Sequence, residues 1–443
     1  MASSAVSTTG VESQRARLLR LSWPIMLSNV TVPLVGVTDT IVIGHQPDAA
    51  LLAGLGLGAG VFNLAFFSFN FLRMGTTGPA AQAAGAGNMA EARAILYRAL
   101  GLAMLIGMVL VALTPLIVLS AFSVSEAARD VEAAATSYLS IRLFAAPAAF
   151  AEMVLVGWLW ALQDTRSAFY IQIATNLTNI VLDVWFVIGL GWGVEGAAAA
   201  SAIAHVVGAI IGCIIVWRRL GPDKRVAWAQ IVDWARVRRM MVMSRDIFIR
   251  TICVVGGLLL FRYEANRFGT DAAASIEPLY QFLTITAYAL DGFSHSVEPM
   301  VGDAIGKKDK RALREAAIAA FQAGGITAAI MSGLLLLFGE HFLLLFTSIP
   351  EVLAIAREYV VYAALLPIVA VWCYLLDGMF LGAALNIAVR NAMLQAMAIY
   401  LIVLFILPRH FGLDGLWLAV MVFMGLRGAT LAFRWNRLLR SGE

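Results

Sequence analysis

Charge is scarce in this chain: Asp, Glu, Lys and Arg make up 14% of its 443 residues, where a soluble domain carries roughly 25%. With 61% of residues hydrophobic and a mean hydropathy of +0.83, too few polar groups remain to cover a globule of this length. A water-soluble fold is excluded. The 32 basic and 28 acidic residues leave a net charge of +4. The basic residues flank apolar runs instead of forming one patch, so no nucleic-acid partner is expected. Cysteine is nearly absent as well. Cys213, Cys253 and Cys373 lie far apart inside apolar runs, without the short paired spacing of a zinc site or a redox motif. The chain lacks a Gly-rich phosphate loop, which excludes direct ATP coupling, and it lacks a Gly-x-Ser-x-Gly nucleophile elbow. It reads as neither an enzyme nor a holder of a prosthetic cofactor.

What it has is long apolar runs. They lie near 19–44, 51–72, 94–122, 136–162, 167–190, 194–217, 246–262, 272–301, 313–338, 352–384, 387–408 and 412–433. About 20 such residues cross a bilayer as a helix. Gly and Pro recur inside the runs, as membrane helices tolerate, and no period-two alternation suggests a barrel. The spacing predicts an all-α membrane protein of twelve transmembrane helices. The first 17 residues are polar with no cleavage pattern behind the first run, so that run is expected to be an uncleaved anchor.

The segment 218–245 carries eight basic residues together with Trp228 and Trp234. It reads as a basic cytoplasmic linker between an amino-terminal six-helix lobe, 1–217, and a carboxy-terminal one, 246–443. Self-comparison supports a duplication. Gln82-Ala83-Ala84-Gly85 matches Asp303-Ala304-Ile305-Gly306, and Tyr138 and Gly157 match Tyr359 and Gly378, all at an offset of 221; Gly193-Val194-Glu195-Gly196 matches Gly412-Leu413-Asp414-Gly415 at 219. Such parallel repeats suit a two-lobed transporter.

A carboxylate at mid-bilayer costs about 2.5–3.5 kcal/mol on insertion scales, so each needs a partner or a role. Asp39, Asp183, Asp246, Asp291, Glu298 and Asp377 lie within or at the edge of the apolar runs. Pro33 withholds a hydrogen bond from the carbonyl of Asn29 and is read as a hinge before Asp39. Asn176, Asn179 and Asp183 share one helical face, where amides can bond either protonation state of the acid; glue between helices is the alternative. Thr284, Tyr288, Asp291, His295 and Glu298 form a stripe that must face a cavity or protein. It could relay protons or hold a cation, or it could be a self-satisfied seam. Asp377, next to Tyr374 and Gly378, is equally open. Asp246 and Arg250 are read as an ion pair one helical turn apart.

These stretches resemble the multidrug and toxic compound extrusion (MATE) family, in its branch named for the DNA-damage-inducible protein F. The resemblance is carried by PLVGVTDTIVIGH around Asp39, RMGTTGPAAQAAGAGN after the second run, NIVLDVWFVIGLGWGVEGAA around Asp183, RDIFIRT at Asp246, LTITAYALDGF at Asp291 and VWCYLLDGMFLGA at Asp377. It covers nearly the whole chain. It implies two six-helix lobes facing each other as a V, and export driven by an inward ion gradient. Asp39, Asn179 and Asp183 would form an amino-lobe cation site with Tyr138 and Ser201 beside it, and Asp377 would be a carboxy-lobe coupling acid. Asn176, Tyr288, Asp291, His295 and Glu298 are taken as cavity residues. Between about 261 and 310 the sequence departs from the family pattern, with Tyr263, Glu264, Glu277, Pro278, His295, Pro299 and Asp303.

The resulting expectation is a cation-coupled antiporter, with H+ as the coupling ion and Na+ as the alternative, that exports amphipathic, often cationic compounds by alternating access. It would work as a monomer in the bacterial plasma (inner) membrane, in contact with membrane lipids. A lipid-linked or polyprenyl carrier flippase and a non-transporting scaffold are the rival readings. Lys and Arg cluster in loops on one side, while Arg129, Arg262, Arg267, Arg357 and Arg409 fall on the other, which predicts that both termini are cytoplasmic. A periplasm-dependent phosphatase fused after Glu443 should be inactive and a fluorescent cytoplasmic reporter bright; the reverse pattern refutes the topology.

Overall fold

The protein, represented by a computed structural model, is described over residues 8–44, 49–122, 128–221 and 226–440. The elements are α1 Thr8–Gly44, α2 Ala49–Ser68, α3 Phe71–Gly85, α4 Met89–Phe122, α5 Arg129–Phe144, α6 Ala146–Ala161, α7 Thr165–Asp183, α8 Gly193–Arg219, α9 Trp228–Ile231, α10 Trp234–Ala265, α11 Thr270–Gly306, α12 Lys310–Leu344, α13 Pro350–Gly382, α14 Asn386–Ala432 and α15 Trp435–Arg440. No strand occurs among the described residues. Among the described residues seven helical segments are long and apolar enough to cross a membrane, α2 and α3 together counting as one, and the bent pair α5–α6 makes an eighth. With α1, α10 and α11, which carry more polar residues, and with α14 counted as two around Gly412, the helices make twelve passes, six before the linker and six after. The fold is the expected all-α membrane architecture.

Helix ends differ from the apolar runs for a simple reason. Hydropathy marks only the part of a helix that lies in hydrocarbon, whereas polar turns extend beyond it. Thus α10 starts at Trp234, and much of the basic segment 218–245 is its first turns. The break of 52° between α5 and α6 falls where Pro147 opens α6, since proline withholds an N–H from the preceding turn.

The duplication is visible in the backbone. Six of the residues with positive φ form three repeat pairs: Gly87 (+74°) and Lys308 (+54°), Gln163 (+60°) and Ala384 (+55°), Gly193 (+57°) and Gly412 (+61°). The first two pairs are separated by 221 residues and the third by 219. Each member of the first two pairs closes a helix with the same bonds, the next N–H reaching back to a carbonyl five residues earlier: Asn88 to Ala83, Asp309 to Ala304, Asp164 to Leu159 and Leu385 to Phe380. This left-handed closure satisfies orphan carbonyls at the helix end. Asn88, Asp309 and Asp164 then cap the next helix through the N–H groups of Glu91, Ala312 and Ser167.

Close helix approach repeats too. A methyl on Gly157 of α6 would sit 2.8 Å from the Arg73 carbonyl oxygen of α3, and one on Gly378 of α13 would strike the Ser294 carbonyl of α11. Glycine and partner both shift by 221.

By packing, the chain divides into one unit of Met1–Met26, Gly85–Gly87 and Arg245–Glu443 and another of Leu27–Ala84 and Asn88–Ser244. The start of α1 is held in the first unit: Arg17 bonds Asp303 at 2.6 Å, Ser22 Oγ bonds Ser296 Oγ at 2.9 Å, and Met26 lies over Gly292. Asp303 also takes Lys307 at 2.9 Å, so this departure from the family pattern is an anchor for α1.

Non-glycine residues in the left-handed region cost roughly 1–2 kcal/mol. Ala384→Gly should therefore raise the thermal unfolding midpoint in detergent, by the equivalent of about 1 kcal/mol, and Gly87→Ala should lower it by a similar amount. A lower midpoint for Ala384→Gly would show that this closure is unstrained.

Candidate coupling site

In the unit of Leu27–Ala84 and Asn88–Ser244, α7 runs apolar except for one polar face and ends at Asp183. There the backbone widens into a π turn, Val184–Gly189, in which Leu190 N–H reaches Trp185 O. Such widened turns occur often at functional sites. Asp183 is fully buried, and Asp39 of α1 is 5% exposed. Their carboxyls come within hydrogen-bonding reach of each other. Two carboxylates are both acceptors, so a bond between them requires a proton on one.

The surroundings add one more acceptor without a donor. Asn179 turns its Nδ2 to Ser201 Oγ of α8 at 2.9 Å, which leaves its Oδ1 for something else. Among the described residues no protein donor reaches that atom, Asp39 Oδ1 or either Asp183 oxygen. Arg142 of α5 is the cation whose charge acts on both acids. Its guanidinium is held off by the Phe62 ring, 4.0 Å from the centroid, and lies 6.0 Å from that of Tyr138. Tyr138 is buried in the field of both acids. Asn176 is half-buried one turn away and donates to Thr31 Oγ1 at 2.6 Å. The structure thus gathers Asp39, Asp183, Asn179, Ser201 and Tyr138. The side chain of Pro33, the expected hinge, lies outside the described residues.

The carboxy-terminal acids are arranged differently. Asp377 Oδ2 accepts from Arg250 Nη2 at 2.5 Å and from Arg427 Nη2 at 3.1 Å. Arg427 is 2% exposed and lies between the rings of Tyr374 and Phe423, at 5.7 and 5.8 Å. The expected Asp246–Arg250 pair is therefore corrected: Arg250 reaches Asp377, and Asp246 takes Arg390 at 2.8 Å and Arg245 at 3.0 Å. Neighbours on one helix can meet, but Arg250 reaches across to α13, and Arg390 of α14 takes its place at Asp246.

On α11, Asp291 acts on Tyr288 and on Tyr374 of α13. His295 is half-buried one turn further, and Glu298 is fully buried where Gly382 of α13 meets its backbone. The stripe is thus not one open face. Of the divergent acids, Glu277 pairs with Arg262 at 2.6 Å and Glu264 pairs with Arg267, so each has its own cation.

Arg142, Arg427, Glu152 and His205 were not picked out from the sequence. Each sits inside an apolar run, and the test that selected Asp39 selects them equally. Among the described residues no group of three or more His, Cys, Asp or Glu could hold a metal ion.

A family profile described as MatE matches twice, over residues 24–185 and 247–407. DNA damage-inducible protein F of Escherichia coli K12 is 39% identical over 96% of this chain and 93% of its own. A probable multidrug resistance protein NorM of Thermotoga maritima is 28% identical over 77% of this chain and 74% of its own. A crystal structure of a mutant of the Vibrio cholerae MATE transporter VcmN superposes with a TM-score of 0.90 at 19% identity, covering 98% of this chain and 99% of that one. With its two matched repeats, its twelve helical passes and its extensive likeness to a bacterial relative, the chain belongs to the MatE family of multidrug and toxic compound extrusion transporters, which are secondary transporters and not enzymes.

Proposed function

We propose that this transporter is a proton-coupled antiporter exporting amphipathic, commonly cationic compounds across the bacterial plasma membrane, with Asp39 and Asp183 as its coupling pair. The carrying observation is that pair: two buried carboxyls in reach of each other, with oxygens that no donor among the described residues satisfies. Such a group of acceptors takes up a proton, or a cation in its place. A proton and an organic cation then compete for the same negative charge, and linkage makes the effect of each on the other equal. The NorM name of the Thermotoga relative supports multidrug substrates. Asn179, Ser201 and Tyr138 position the pair, and Asn176, Tyr288, Asp291, His295 and Glu298 are read as polar groups along the route. The lobes 1–217 and 246–443 and the linker 218–245 are read as before, with the linker and both termini cytoplasmic, the protein monomeric, and membrane lipids around it.

Asp377 is better read as an anchor. Two guanidiniums share one of its oxygens, so proton uptake there would strand two buried cations. Sodium coupling through Asp377 meets the same obstacle.

In proteoliposomes carrying an imposed pH gradient, the wild-type protein should expel ethidium and Asp39→Asn should not. A sodium gradient alone should drive neither; sodium-driven efflux by the wild type would replace the proton in this reading. Asp377→Asn should act first on stability, lowering the thermal midpoint by the equivalent of about 3–5 kcal/mol, as broken buried ion pairs do. A fully stable Asp377→Asn protein that has lost pH-driven efflux would return Asp377 to the coupling set.

A further inference from the structure

A second buried pair of titratable side chains lies in the same unit, between α6 and α8 and beside α7. Glu152 of α6 is 3% exposed. Its Oε2 lies 2.9 Å from His205 Nδ1 of α8, and its Oε1 lies 2.8 Å from Thr175 Oγ1 of α7. Thr175 and Asn179 are one helical turn apart on α7, as are Ser201 and His205 on α8. The Asn179–Ser201 bond and the Thr175–Glu152–His205 cluster are thus successive polar rungs between α7 and α8. An aromatic column makes a second link. Arg142, which acts on Asp39 and Asp183, covers Phe62; Phe62 stacks on Phe66 at 5.2 Å; and Phe66 meets the His205 ring at 5.7 Å.

The chemistry of the cluster suits a proton that comes and goes. The Thr175 hydroxyl is also 3.0 Å from the Ile171 carbonyl. With Glu152 ionised, Thr175 donates to Oε1. With Glu152 protonated there, Glu152 donates to Thr175 Oγ1 and the hydroxyl turns to Ile171. At Oε2, imidazole Nδ1 can donate to the carboxylate or accept from the acid, according to its tautomer. Both protonation states of Glu152 are therefore fully bonded without moving a helix. Gly208 on α8 makes the site fit: a methyl there would strike Thr175 Oγ1 and lie 2.8 Å from the Glu152 carboxyl carbon. Among the described residues, the groups in bonding or ring contact with the pair are Thr175 of α7 and Phe66 of α2. The cations and acids of the neighbouring rung are Arg142, Asp39 and Asp183.

We propose that Glu152 and His205 form a second proton-binding pair, through which protons exchanged at Asp39 and Asp183 pass along the α7–α8 interface. The proposal rests on the proton-antiport reading. The pair carries protons and is not needed for the substrate to bind or cross.

The test uses the full chain in proteoliposomes and two ethidium assays: net efflux driven by a pH gradient, and ethidium–ethidium exchange at equal pH, which moves no net proton. Glu152→Gln should cut net efflux at least about tenfold, within the range of a lost proton-transfer group, while exchange stays within about twofold. His205→Gln, which keeps a hydrogen-bond donor but takes up no proton near neutral pH, should split the two assays in the same way, and it carries the test if Glu152→Gln does not elute as a folded protein. If both variants keep wild-type net efflux, or if net efflux and exchange fall in parallel in both, the pair is structural and the proposal is overturned. A wild-type protein that shows no pH-driven efflux overturns the antiport reading itself, a result seen before any variant is compared.

Discussion

An ionised side chain in hydrocarbon must be neutralised, hydrogen-bonded or protonated, and that constraint orders the whole interior of this transporter. Most buried charges meet it by pairing. Asp246 is closed by Arg390 and Arg245, and Asp377 by Arg250 and Arg427. Arg98 is 8% exposed and bonds Glu91 at 2.5 Å. Asp39 and Asp183 meet it differently: they lie within reach of each other, and among the described residues no donor bonds Asp39 Oδ1 or either Asp183 oxygen. A pair of that kind is an expensive way to hold helices together and a direct way to hold a proton. The contrast between the two sets of acids, more than the acids themselves, favours proton handling in the amino-terminal unit.

Duplication supplied one backbone and two interiors. The left-handed closures at Gln163 and Ala384, the glycines 193 and 412, and the glycine approaches at 157 and 378 recur at nearly constant offset. Their reasons are steric and lie in the chain path, so either copy needs them. Several buried charges do not recur. At the same offset of 221, Glu152 stands opposite Cys373, Arg142 opposite Ala363, and Asp377 opposite Val156. One copy has two acids within reach of each other, while the other has a carboxylate bonded by two arginines. Tyr138 and Tyr359, 3% and 7% exposed, are shared, but the first lies in the field of Asp39 and Asp183 and the second in that of Asp414.

Much of this was legible in the sequence, because the properties involved are local. Hydropathy located all twelve passes, and short Gly-containing motifs located the repeat, since a residue needed for a turn or a close approach is needed whatever surrounds it. Partners across helices were not legible. Asp246 and Arg250 satisfy the one-turn rule, yet each side chain turns to another helix. Asp303 departs from its repeat partner Gln82, and only the packing of Arg17 and Lys307 gives the reason. Glu152, His205, Arg142 and Arg427 were legible in principle. They are charged or titratable residues inside apolar runs, as Asp39 is, but no neighbouring motif draws attention to them.

The order of polar groups along α7 and α8 has a further consequence for the proposed mechanism. Asp183 ends α7 at a π turn, where the backbone hydrogen bonds change register, and the Glu152–His205 pair sits where Gly208 lets α6, α7 and α8 touch. The first position is the less regular and the second the more rigid. A site that must alternate between a proton and a larger organic cation needs room to adjust, and the widened turn offers it. A site that only passes protons needs fixed donor and acceptor distances, since transfer depends on hydrogen-bond geometry. α7 and α8 take part in both, the first site at the widened end of α7 and the second where α6 packs closely against them. The proposed division of labour between substrate exchange and proton passage thus rests on local packing within one unit, with no separate device required.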